Sequence, residues 1–180
     1  MPEAIEAKME ARGRSFAIVV SRFNEYITQH LLEGAIKELS QYGVRDSDIA
    51  VTWVPGAFEI PLTVLNLAET RRYSAVIALG AIIRGSTPHF EYLSQAVSRG
   101  LAEVQVRTQT PVAFGVITTD TLEQAIERAG TKHGNKGREA ARVAIEMAGL
   151  AEAIKAGGAS SPSTPLKADG ERSRTTSRTA

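Results

Sequence analysis

Ser86, Thr87 and His89 follow closely on an apolar run from Ala75 to Ile83, an order of residue types that suits an anion site. A continuous apolar run of strand length fits a parallel sheet covered on both faces. Such strands deliver their C-terminal ends to a ligand crevice. Arg84 and Gly85 break the run. Ser86, Thr87 and Pro88 then read as the start of a helix, with hydroxyls at capping positions and proline near the first helical residue. Free backbone N–H groups at such a start suit phosphate, and His89 sets beside it an imidazole, which gives or takes a proton near neutral pH. The same residues also fit a capped helix that carries an exposed histidine.

Further groups lie near other strand ends. Phe23 falls in the turn SRFN, and Ala57, Phe58 and Glu59 sit between Pro55 and Pro61, which fix an unusual strand-to-helix turn. Glu59 is then near the positive end of the next helix, as a helix-start acid or as a site carboxylate. Phe114, before Gly115, suits core or ligand wall, and Arg128 lies in the last turn of a short helix. The stretch GTKHGNKG, Gly130 to Gly137, resembles a phosphate loop, but Asn135 stands where the Walker pattern needs glycine and Gly137 where it needs Ser or Thr. It also joins helix to helix, so nucleotide hydrolysis is discarded. Lys132 and Lys136 in that loop lack the apolar pocket of a Schiff-base lysine, which argues against an aldolase-like lyase.

The elements that must position these groups alternate. Strands are predicted at Phe16–Val20, Ile49–Val54, Ala75–Ile83 and Val112–Ile117. A helix with Asn24 as N-cap runs to Gly43, a second from about Leu62 to Arg71, and a third carries the stripe Phe90, Leu93, Val97, Leu101 and Val104. Thr121 and Gln124 form a capping box for Leu122 to Ala129, and a last helix spans Arg138 to Ala156. The expected class is α/β: a three-layer αβα sandwich with a central, mainly parallel four-stranded sheet, flavodoxin-like. Right-handed crossovers place the strand-end loops on one edge, gathering Phe23, Ala57 to Glu59, Ala81 to His89 and the neighbourhood of Phe114. Such a crevice suits a flat, polyhydroxylated substrate together with a phosphorylated one.

Composition narrows the classes. A net charge of +1 gives no reason to expect a nucleic-acid partner. The absence of cysteine excludes disulfides and thiolate metal sites and fits the cytoplasm. His30, His89 and His133 have no metal-ligand spacing, so no metal is expected. The N-terminus lacks a signal-like apolar core, and no apolar run approaches the roughly 20 residues of a membrane helix, so the expectation is a cytoplasmic protein with no membrane partner. Residues 1–14 read as a leader, 15–157 as one domain, and 158–180, rich in Ser, Thr, Pro and Gly, as a disordered tail.

In order and spacing, the segments SRFNEYI, VPGAFEIP, ALGAIIRGSTPHFEYL, FGVITTDTLEQAIERAGTKHGNKG and RVAIEMA resemble bacterial 6,7-dimethyl-8-ribityllumazine synthases, over about Arg14 to Ala156. The resemblance implies a transferase of riboflavin biosynthesis. It would condense 5-amino-6-(D-ribitylamino)uracil with 3,4-dihydroxy-2-butanone 4-phosphate, without metal or organic cofactor. By the same resemblance, Phe23 would stack on the pyrimidine, Ala57, Phe58 and Glu59 would line the ribityl and ring site, and Ala81, Ile82 and Ile83 would offer backbone contacts. Gly85, Ser86 and Thr87 would hold the phosphate, Arg128 would be its cationic partner, His89 would carry protons, and Lys132 is a further candidate. The positions of Phe114 and Arg128 belong in that family to the adjacent subunit. The resemblance therefore implies a homo-oligomer built on pentamers, with active sites at subunit interfaces and an icosahedral capsid among its possible forms. The rival reading is a non-catalytic flavin- or lumazine-binding or cage-forming protein of the same fold.

Overall fold

The β-branched and alanine-rich apolar runs become β1 (Phe16–Ser21), β2 (Ile49–Val54), β3 (Ala75–Ile83) and β4 (Val112–Thr119). This computed structural model describes residues 4–157, and the tail expected at 158–180 lies outside the described residues. The strands form a sheet in the order β2-β1-β3-β4, each neighbour parallel to the next. Between and after them run α1 (Glu25–Gln41), α2 (Ile60–Glu69), α3 (His89–Thr108), α4 (Leu122–Arg128) and α5 (Lys136–Lys155). The architecture is the predicted three-layer α/β sandwich with a parallel four-stranded sheet.

Alternation along β1 divides the core in two, because successive side chains of a strand point to opposite faces. Phe16, Ile18 and Val20 pack with Leu31, Leu39 and Ile145 of α1 and α5. Ala17 and Val19 pack with Ile60 and Val64 of α2 and with Val97 and Leu101 of α3. Gly115 in β4 leaves room for the next strand: a Cβ there would lie 2.6 Å from Leu79 Cδ2. Residues 4–14 contain no helix or strand, yet Ala11 is wholly buried and Arg14 pairs with Glu152 of α5 at 2.8 Å.

The glycine-rich connection that resembled a phosphate loop is a helix-packing joint. It forms the short antiparallel pair β5 (Ala129–Thr131) and β6 (Gly134–Asn135). Asn135 Oδ1 accepts from the Arg138 N–H at 3.1 Å, which starts α5 two residues before its predicted onset. Its Nδ2 donates to the His30 carbonyl at 2.8 Å and to that of Ala129 at 2.9 Å. A Cβ on Gly34 would fall 2.3 Å from Asn135 Oδ1, so glycine is required for α1 to come this close. Farther along the same contact, the buried Glu38 carboxylate accepts from Arg138 Nε at 2.9 Å and from Arg142 Nε.

Candidate active site

β1 and β3 are neighbours although β2 lies between them in sequence, so the order reverses between them and a crevice opens at their C-terminal ends. A cavity of about 580 Å³ lies there. Phe23 reaches it from the turn after β1, and Ala57, Phe58 and Glu59 from a 3-10 turn after β2. Ala81, Ile82 and Ile83 form its floor at the end of β3, followed by Gly85, Thr87 and His89. Ten predicted site residues therefore share one cavity.

Local structure explains the placement. Asn24 adopts φ 60°, and its side chain does not cap α1 as expected; Nδ2 donates instead to the Ala81 carbonyl at 2.9 Å. The turn is thereby tied across the crevice, and Phe23 is 70% exposed at the mouth. Glu59 Oε2 accepts from the Gly56 N–H at 3.0 Å, a bond that fixes the carboxylate without using its second oxygen.

The loop after β3 corrects one expectation. α3 begins at His89, the capping position belongs to Pro88, and no side chain caps the helix, so neither the Ser86 nor the Thr87 hydroxyl serves that end. Proline takes the cap because its fixed φ already suits the helix start and it has no N–H to satisfy. Among the described residues, the N–H groups of Gly85, Ser86 and Thr87 donate to no protein acceptor. Thr87 and Gly85 line the cavity, whereas Ser86 is exposed outside the lining.

Phe114 also departs from expectation. β4 runs on through Thr118 and Thr119, so Phe114 pairs with Ala78 in mid-strand, half exposed and away from the crevice. Arg128 is likewise outside the cavity; its Nη1 donates to the Gln124 carbonyl at 3.1 Å. Lys132 stands 3.9 Å from Glu127, and it too is not among the lining residues.

Several residues at the site carried no signal of that role. Phe90 and Leu93, read only as part of a helical stripe, line the cavity with Tyr92. Arg84, read only as a break after β3, makes the densest polar contacts of the loop. Its Nε donates to Asp120 Oδ1 at 2.7 Å, its Nη1 to Glu91, and its guanidinium carbon sits 4.2 Å from the Phe90 ring centre. These contacts raise the Arg84 pKa, chiefly through the bond to Asp120, and lower that of Glu91, chiefly through the bond to Arg84. Among the described residues no group of three or more His, Asp or Glu is placed to hold a metal.

A family model described as 6,7-dimethyl-8-ribityllumazine synthase matches residues 13–152, from ahead of β1 into the last turn of α5. The chain belongs to that family. The 6,7-dimethyl-8-ribityllumazine synthases are transferases of riboflavin biosynthesis, and the match contains the whole sheet and every element that lines the cavity. Among the described residues no helix is long and apolar enough to cross a membrane.

Proposed function

We propose that the chain condenses 5-amino-6-(D-ribitylamino)uracil with 3,4-dihydroxy-2-butanone 4-phosphate to 6,7-dimethyl-8-ribityllumazine, releasing phosphate and water. The observation that carries the reading is one cavity holding an exposed ring, a carboxylate and an imidazole beside three unpaired loop amides. Phe23 stacks on the pyrimidine, and Phe58, Glu59 and the floor from Ala81 to Ile83 hold the ring and the ribityl chain. The amides of Gly85 to Thr87, with the Thr87 hydroxyl, take the phosphate.

Phe114 and Arg128 do not line their own chain's cavity, so in this reading they complete the site of a neighbour in a pentamer-based homo-oligomer. Arg128 then supplies the guanidinium that neutralises the phosphate, a role its planar fork suits. The protein works in the cytoplasm, with no metal, organic cofactor, nucleic acid or membrane taking part.

The primary amine attacks the ketone and forms a C–N bond, and the carbinolamine loses water to an imine. Phosphate leaves as the C–O bond to the carbon skeleton breaks, and the ribityl-bearing nitrogen closes the ring with loss of a second water. Each step moves a proton, and in this reading His89, which lines the same cavity, gives and takes it. Phosphate held by amides and a guanidinium is a better leaving group. Holding both substrates together supplies much of the acceleration.

The test separates a synthase from a binder that keeps only the fold. In titration calorimetry the protein should bind the phosphorylated butanone as well as the finished lumazine. Binding of the lumazine alone would favour the non-catalytic reading.

A further inference from the structure

Arg84 stands in a series of hydrogen bonds that runs from Glu91, between the lining residues Phe90 and Tyr92, to Arg128. Its Nη1 donates to Glu91 in the first turn of α3, the turn that begins with His89. Its Nε donates to Asp120 Oδ1 at 2.7 Å just beyond β4, and its own N–H donates to the Thr119 carbonyl at 2.9 Å. The Asp120 N–H donates in turn to Gln124 Oε1 at 2.9 Å. The Gln124 carbonyl accepts from Arg128 Nη1 at 3.1 Å. One guanidinium thus joins the end of β3, the start of α3 and the β4–α4 connection.

A cation next to an anion loop is ordinarily read as a ligand of the anion. Here the Arg84 fork is already committed to two carboxylates on different elements, and its flat face covers Phe90. We propose that Arg84 is a positioning residue. It sets the loop from Gly85 to Pro88 and, through Asp120 and Gln124, orients Arg128. The anion half of one cavity and the arginine that the same chain offers its neighbour then move as one unit. This rests on the reading of Arg128 as a group donated across a subunit boundary. Its consequence is that phosphate bound in one cavity orders the Arg128 serving the next.

Inorganic phosphate titrated calorimetrically into the assembled protein tests the inference without turnover. Arg84→Gln and Asp120→Asn should each weaken phosphate binding about tenfold, and the double variant should lose no more than either alone, because both break one chain. Arg84→Lys should not restore affinity, since one ammonium cannot span two carboxylates in fixed geometry. The KM for the ribitylaminouracil should stay at the wild-type value. Both side chains are substantially exposed, at 42% and 65%, so the variants keep the fold. Unchanged phosphate affinity in Arg84→Gln, full rescue by lysine, or additive losses in the double variant would overturn the proposal. A wild type that forms no lumazine while its phosphate affinity responds as stated would remove the proposed reaction and leave the positioning role standing.

Discussion

Asn24 Nδ2 donates to the Ala81 carbonyl at 2.9 Å and so ties the turn after β1 to the end of β3 across the crevice. The residue is at φ 60°, where asparagine sits at less cost than most residues other than glycine. Asn24→Ala loses the bond and adds left-handed strain, for a total of about 2 kcal/mol. Asn24→Gly keeps the backbone conformation freely and should lose about 1 kcal/mol. Urea unfolding at fixed protein concentration checks the order; equal losses would show that backbone strain contributes nothing there.

Glu38 is only 1% exposed and binds two guanidiniums of α5. Glu38→Gln leaves both arginines without their counter-charge and should cost about 2 kcal/mol, at the low end for a broken buried pair because the arginines reach solvent. Arg142→Ala should cost less, since Arg138 still satisfies the carboxylate. Paired denaturant curves decide this, and a larger loss for Arg142→Ala would reverse the assignment of which partner depends on the other.

The bounds of β2 and β3 were legible because β3 is an unbroken apolar run ended by Arg84-Gly85 and β2 is a largely β-branched and apolar run, interrupted by Thr52 alone, ended by proline. The cavity was legible for a related reason, since its residues follow directly on those strand ends. Phe114 was misplaced because Thr118 and Thr119 are polar yet β-branched, and they continue β4 beyond the apolar run. Glu38 was hidden by its type: a carboxylate in an amphipathic helix reads as solvent-facing until Arg138 and Arg142, a hundred or more positions away, are brought against it. Arg84 was hidden likewise, its partner Asp120 lying 36 positions on.

Arg128→Ala should lower kcat/KM by about a hundredfold or more, because charge and position of the phosphate are lost together. His89→Ala should lower it by only about tenfold, since the cavity mouth is open and water can relay protons in its place. Steady-state kinetics of the two variants check the ranking. An inactive His89→Ala beside a nearly normal Arg128→Ala would exchange their roles.

The bond from Arg84 holds the Glu91 carboxyl below its ordinary value of 4.5. A depressed folded pKa contributes stability that is fully present above the ordinary value and is lost as pH falls through the folded one. The start of α3 should therefore loosen below about pH 4.5. Protection factors of amides in the first two turns of α3, taken against the intrinsic exchange rate at each pH, should fall on acidification in the wild type. In Glu91→Gln protection should be low already at neutral pH and respond little further. Parallel responses in the two proteins would remove Glu91 as the cause.

The proposed reaction needs one composite cavity to join two substrates and expel phosphate. The purified protein, given the ribitylaminouracil and the phosphorylated butanone, should form fluorescent lumazine far faster than the uncatalysed mixture, with one phosphate released per lumazine. Lumazine formation no faster than in the protein-free control would rule the proposed reaction out.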